Sequence, residues 1–253
     1  MNILDRLLKN RYYISIVYII ITLFLLDRLA LSKEWVVTLL YVLAIYGFLL
    51  LIAFEPKRYI DEVGTRPNMP IVPIAISLLA FSYCCIILQT EVLGWSWLVE
   101  DGSNLKYSNI PYFISDVFLF IIIAPIVEEI FFRQWLYEKL KNRMKPLFSI
   151  IVVALIFGIV HIDLIGSFVF SMVLSFYYIS SISIANNIFI HATFNGFLVV
   201  FQFFIDNEII GDLDTLASVY LSENIAVLMM LIVTSSISIY WLTTRYIRSL
   251  EEV

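Results

Sequence analysis

The sequence predicts an all-α protein: a polytopic transmembrane helical bundle of about eight spans, forming one transmembrane domain over residues 1–253. Three observations carry this. Of the 253 residues, 61% are hydrophobic and only 15% are charged, too few polar side chains to clothe a water-soluble globule, so the composition asks for a bilayer as solvent. Apolar runs recur along nearly the whole chain rather than once at its front, unlike a secreted protein with one cleavable signal, and the first run is expected to stay attached. No Gly-, Ser- or Pro-rich linker separates two domains.

With roughly 17–25 apolar residues needed per crossing, the spans are Tyr13–Leu31, Trp35–Phe54, Ile71–Thr90, Tyr112–Trp135, Leu147–Ile165, Ser167–Ser180, Ile184–Ile205 and Ile225–Thr244. The sixth is short. Gly166 and the Ser180–Ser183 stretch supply the breaks on its two sides, and a re-entrant segment is the alternative to a full crossing there.

Lys and Arg are retained on the cytoplasmic side of a membrane, so orientation follows from their distribution. With the N-terminus inside, twelve fall in cytoplasmic segments: Arg6, Lys9, Arg11, Lys57, Arg58, Arg66, Lys139, Lys141, Arg143, Lys145, Arg245 and Arg248. Three, Arg28, Lys33 and Lys106, fall outside, and Arg133 lies within a span. This asymmetry supports a cell-membrane protein with both termini cytoplasmic. Trp95 and Trp97 then sit at the outer headgroup level as interfacial anchors.

Several features need no special role. The adjacent Cys84 and Cys85 lie in an apolar run, where a disulfide between neighbours is strained, and read as buried thiols. The loop with Asp206, Glu208, Asp212, Asp214 and Glu223 holds no Lys or Arg. It reads first as a solvated exterior loop and second as an attractor of a cationic peptide. The net charge of −5 includes no basic patch that would suggest nucleic acid.

Ionisable side chains inside a span cost at least ~2.5 kcal/mol each on insertion scales, so each needs a partner, a water cavity or a function. The fourth span holds Glu128, Glu129 and Arg133. Glu129 and Arg133 are four apart, share a helical face and can neutralise each other. Glu128 is turned about 100° away by the helical repeat and has no local cation, which makes it the candidate general base. Pro125 should bend or loosen the helix just ahead of the pair, because it cannot donate to the carbonyl of Ile121.

Both histidines of the chain, His161 and His191, also fall inside spans. Gly158, just before His161, would let a neighbouring helix approach closely. His191 and Asn195 are four apart on one face and point two hydrogen-bond donors the same way, as an oxyanion hole requires. At ~1.5 Å rise per residue, Glu128 lies ~15 Å, His161 ~20 Å and His191 ~10 Å along their helices from the cytoplasmic side, so the three can meet near the middle of the membrane.

These residues fit three motifs: Glu128-Glu129-Ile-Phe-Phe-Arg133 fits EExxxR, Phe157-Gly-Ile-Val-His161 fits FxxxH, and His191-Ala-Thr-Phe-Asn195 fits HxxxN. In this order, on three separate spans, they resemble the CPBP family, also called ABI, of CAAX proteases and bacteriocin-processing enzymes. The resemblance covers about Pro125 to Asn195, within a motif-bearing protease core of about 112–205, with no departure at a motif position. It implies an intramembrane endopeptidase of the glutamate type. Glu128 with His161 would activate water, His191 with Asn195 would stabilise the oxyanion, and Glu129 and Arg133 would support the site.

Metal stays open at this level. Glu128, His161 and His191 form a His₂Glu set that zinc can use while keeping a position for water, whereas Asn195 beside His191 suits an oxyanion hole and favours a mechanism that requires no cofactor. The expected partners are the lipid bilayer and a peptide or membrane-protein substrate. In a bacterial plasma membrane, which short loops and the lack of a targeting extension favour, the resemblance implies bacteriocin or signalling-peptide processing or self-immunity; in a eukaryote, CAAX-type cleavage. Two other classes compete: a non-catalytic bacteriocin-immunity or binding membrane protein, and a transporter using the same residues as an ion relay, for which no inverted repeat is visible.

Overall fold

The protein is described here by a computed structural model covering residues 18, 45–47, 71–95, 113–114, 117–161, 163–180, 183–206 and 218–251. Every regular element among these residues is helical, in keeping with the expected class. Helix α1 (Ile71–Ile87) runs on in wide, π-type turns over Leu88–Val92 and stops at Gly94, whose φ of 67° a side chain would disfavour. Helix α2 (117–141) alternates wide turns (Val117–Ile123), ordinary turns (Ala124–Glu129), wide turns again (Ile130–Tyr137) and a last ordinary turn (Glu138–Lys141). Then follow α3 (Pro146–Ile159), α4 (Leu164–Ile179), α5 (Ile184–Asp206) and α6 (Ile225–Glu251).

Among the described residues three stretches are long and apolar enough to cross a membrane: Ile71–Val92, Ile184–Phe201 and Ile225–Thr244. They correspond to the expected third, seventh and eighth spans. The expected fourth, with its three ionisable residues, is helical over 117–141 but is not one of those three. All of the first expected span but Tyr18 and all of the second but residues 45–47 lie outside the described residues, as do Trp97, the N-terminal segment on which the orientation rests and most of the acidic loop.

One boundary is corrected. The sequence placed a break at Gly166, between spans Leu147–Ile165 and Ser167–Ser180, but the chain breaks earlier, after Ile159, and Gly166 lies in the first turn of α4. The cause is a cap. Asp163 Oδ1 accepts from Gly166 N (2.8 Å) and from Gln89 Nε2 of the wide turns after α1 (2.8 Å), while Gln89 Oε1 accepts from Ile165 N (3.2 Å). An N-cap carboxylate satisfies amides that the start of a helix leaves without partners. The two apolar helices flanking this cap, of 14 and 16 residues, reach only ~21 and ~24 Å, short of a ~30 Å hydrocarbon core.

The core joins Ile74 and Leu78 of α1, Phe132 of α2, Val153 and Phe157 of α3, Leu174 of α4 and Ile190 of α5. Helix α4 comes so close to α3 that a Cβ at Gly158 would stand 2.8 Å from Leu164 O, the close approach expected of that glycine. The exterior is apolar too: Ile159 is 71% and Met230 68% exposed, with Phe148, Ile237 and Tyr240 also exposed. A soluble monomer rarely shows so much apolar surface, whereas lipid tails cover it at no cost. Cys84 and Cys85 are buried and free, as expected.

Candidate active site

Glu128 and Glu129 end the ordinary-turn segment of α2, between its two stretches of wide turns. That alternation has a local cause. The wide register ends at Ile123, and its next donor in line would be the nitrogen of Pro125, opposite Phe120 O. Proline has no hydrogen to give, so that carbonyl is left over. Asn195 Nδ2 of α5 donates to it at 2.7 Å. Pro125 thus loosens the helix ahead of the acidic pair, as expected, although in this register the freed carbonyl is that of Phe120 rather than Ile121.

The expected Glu129–Arg133 pair is formed. Glu129 Oε2 lies 3.2 Å from Arg133 Nε, and both side chains are fully buried. Glu129 Oε1 lies 3.0 Å from His191 Nδ1. Arg133 Nη2 reaches Ser171 Oγ at 3.2 Å and Ser171 O at 3.4 Å, and the guanidinium lies 5.3 Å from the centre of the Phe157 ring. The buried guanidinium is thus paired with a carboxylate, hydrogen-bonded through Nη2 and set near an aromatic face, while Nε and Nη1 are buried without hydrogen-bond partners.

Glu128 faces elsewhere. Its Oε1 accepts from the Tyr46 hydroxyl at 2.8 Å. Its Oε2 lies 3.8 Å from His161 Nε2 and 3.8 Å from His191 Nε2, too far for direct hydrogen bonds, and is buried with no hydrogen-bond partner. Glu128 has no cation near it along its own helix, but the fold brings two imidazoles to one of its oxygens.

Each imidazole is held from behind. His161 Nδ1 lies 2.6 Å from Phe157 O, and a carbonyl can only accept, so Nδ1 carries the hydrogen and Nε2 of the neutral ring turns a lone pair toward Glu128. The Phe157 ring stacks on the His161 ring at 4.1 Å. His191 is anchored through Nδ1 on Glu129 and packed edge-on against Phe170 at 4.9 Å.

The structure therefore brings five of the six expected site residues into one cluster: Glu128, Glu129, Arg133, His161 and His191. Asn195 stands one helical turn from His191 on α5, with one amide hydrogen engaged by Phe120 O and the second left over.

As a metal shell the set does not fit as placed. Tetrahedral zinc with bonds of about 2.0–2.1 Å needs donor atoms about 3.3–3.4 Å apart, whereas Glu128 Oε2 stands 3.8 Å from each imidazole nitrogen. Among the described residues no group of three His, Cys, Asp or Glu has the geometry to hold a metal ion.

Two contributors escaped the sequence reading. Tyr46 lies well inside the expected second span, where a phenol needs a polar partner, and that was its only signal. Asp163, an ionisable residue inside an apolar run, was open to the reasoning applied to Glu128, and it fixes the chain two residues after His161.

Comparison with known proteins adds an independent line. Residues 110–197 match the family described as type II CAAX prenyl endopeptidase Rce1-like, a stretch that includes all six expected site residues and does not reach Tyr46. The chain is also similar to the membrane-embedded CAAX protease MroQ of Staphylococcus aureus (strain USA300), 29% identical over 165 residues, covering 58% of this chain. The match spans 60% of the length of that relative. No solved structure matches. On the motifs, the buried cluster they form and the family match that contains them, residues 110–197 of this chain are similar to the Rce1-like type II CAAX prenyl endopeptidases, a family of peptidases.

Proposed function

We propose that this chain is an intramembrane endopeptidase of the glutamate type, hydrolysing a peptide bond of a peptide or membrane-protein substrate without a metal cofactor. The observation that supports it best is the convergence on Glu128 Oε2. That buried oxygen and His161 Nε2 are both acceptors, 3.8 Å apart, and neither bonds the other. A water about 2.8 Å from each would give one hydrogen to either acceptor and keep a lone pair for attack.

In this mechanism the water oxygen bonds to the carbonyl carbon of the scissile peptide and Glu128 takes the released proton. The carbonyl oxygen becomes an oxyanion, facing His191 Nε2 and the unengaged amide hydrogen of Asn195. For His191 to donate there while Nδ1 donates to Glu129, both ring nitrogens would carry hydrogen in this mechanism. Glu128 then protonates the leaving amine as the C–N bond breaks, and the second water proton passes to His161. Glu129 and Arg133 hold His191 and do not touch substrate.

The core of about 112–205 would carry this chemistry in a cell membrane, with both termini cytoplasmic and a bacterial plasma membrane as the setting. The family description and the name of the staphylococcal relative favour CAAX-type cleavage; bacteriocin or signalling-peptide processing uses the same chemistry on another peptide. The test is mass spectrometry of prenylated and unprenylated peptides incubated with the purified protein in lipid nanodiscs, with and without a chelator. Cleavage that survives the chelator is expected. Cleavage lost to the chelator and restored by zinc would overturn the metal-free reading, and no cleavage of any peptide would favour a non-catalytic role.

A further inference from the structure

The residue that holds the proposed base lies outside every motif. Glu128 has two carboxylate oxygens with different surroundings: Oε2 faces the two imidazoles, and Oε1 accepts a hydrogen bond of 2.8 Å from the Tyr46 hydroxyl. Tyr46 is 82 positions from Glu128 in sequence and lies outside the matched stretch 110–197. No other described contact holds Oε1.

We infer that Tyr46 is a positioning residue for Glu128: its phenol fixes the carboxylate so that Oε2, and not Oε1, is presented to His161 and His191. A glutamate side chain has three soft torsions, and the last of them, about the bond to the carboxylate, is broad and nearly two-fold. Without a donor on one oxygen, the two oxygens exchange places and a water could bind at either. A phenol O–H can only donate to an ionised carboxylate, so its bond to Oε1 selects one orientation and closes that oxygen to water. The imidazoles cannot do this, because both stand 3.8 Å away on the Oε2 side. Tyr46 therefore acts through Glu128 and need not touch substrate.

This inference rests on the peptidase reading for its kinetic consequence and on geometry alone for the contact, so the two are tested separately. Tyr46→Phe keeps the ring and removes only the hydroxyl. In the full chain in nanodiscs it is expected to lower kcat about ten- to a hundred-fold, as the loss of a hydrogen bond to a charged group does. KM should stay within about two-fold and the melting temperature should be unchanged, because the peptide is bound elsewhere and the packing is kept. The second readout needs no activity. Infrared difference spectra of protein labelled with ¹³C in its glutamate carboxylates, with the Glu128 band assigned by its absence in Glu128→Gln, should show that band shifted in Tyr46→Phe. An unshifted band overturns the contact. A shifted band with kcat unchanged overturns the positioning role while leaving the peptidase reading standing. If the parent cleaves no peptide, the function proposed above fails, and the band alone decides whether Tyr46 orients Glu128.

Discussion

Glu128 and Glu129 are adjacent, alike in chemistry and both buried, yet the two faces of α2 that carry them are satisfied in different ways. Glu129 has an ion-pair contact on each oxygen, Oε2 with Arg133 Nε and Oε1 with His191 Nδ1, and Arg133 Nη2 donates in turn to Ser171. Glu128 is closed on one oxygen by Tyr46 and open on the other, between two imidazoles. A carboxylate braced on both oxygens by a guanidinium and a ring nitrogen suits a structural part; one with a buried oxygen turned toward two ring nitrogens is the one we propose as the general base. Burial alone does not separate them. The pattern of partners does.

The comparison predicts opposite consequences for the two faces. Glu128→Gln should lower peptide cleavage by about 10²–10⁴, the range of a lost general base, while leaving the melting temperature nearly unchanged, since an amide can still bond Tyr46. Arg133→Met should act on the other face, leaving Glu129 as an uncompensated buried charge. A loss of about 3–5 kcal/mol of stability is expected in detergent unfolding titrations. If Arg133→Met were as stable as the parent, the division between a structural and a chemical face would fail.

Smaller changes probe how the imidazoles are held. Gly158→Ala puts a Cβ 2.8 Å from Leu164 O, a backbone atom that cannot swing aside. Overpacking of this kind costs about 1–3 kcal/mol, and it should move His161, three residues on, so that activity falls with stability. Asp163→Ala removes the cap of α4, at about 0.5–2 kcal/mol, and frees Gln89 Nε2 from one of its two acceptors. Melting temperature and cleavage rate together check both; an Asp163→Ala protein as stable as the parent would remove the reason given for the break after Ile159.

What was legible in the sequence follows the same physics. Glu128, Glu129, Arg133, His161 and His191 stood out because charge and imidazole are costly in an apolar span, and their fixed spacings implied faces that the fold does bring together. Tyr46 did not stand out, because a tyrosine among apolar residues is ordinary until its partner is known, and that partner is 82 positions away. The break after Ile159 was hidden for a different reason. Gly166 is the conspicuous breaker, but the break is made by an Asp163 cap whose second partner, Gln89, comes from another helix. The wide turns of α2 leave no mark in composition; only Pro125, and the Phe120 carbonyl it frees for Asn195, gives them a local cause. Of the expected first and second spans only Tyr18 and residues 45–47 are among the described residues.

The central claim is that Glu128 activates a water that ends in the product. Its most direct measurement is mass spectrometry of a peptide cleaved by the purified protein in ¹⁸O-labelled water, run beside Glu128→Gln of equal melting temperature. The account predicts one ¹⁸O atom in the new carboxyl group formed by the parent and almost no product from the variant. Product formed by Glu128→Gln at the rate of the parent would contradict it.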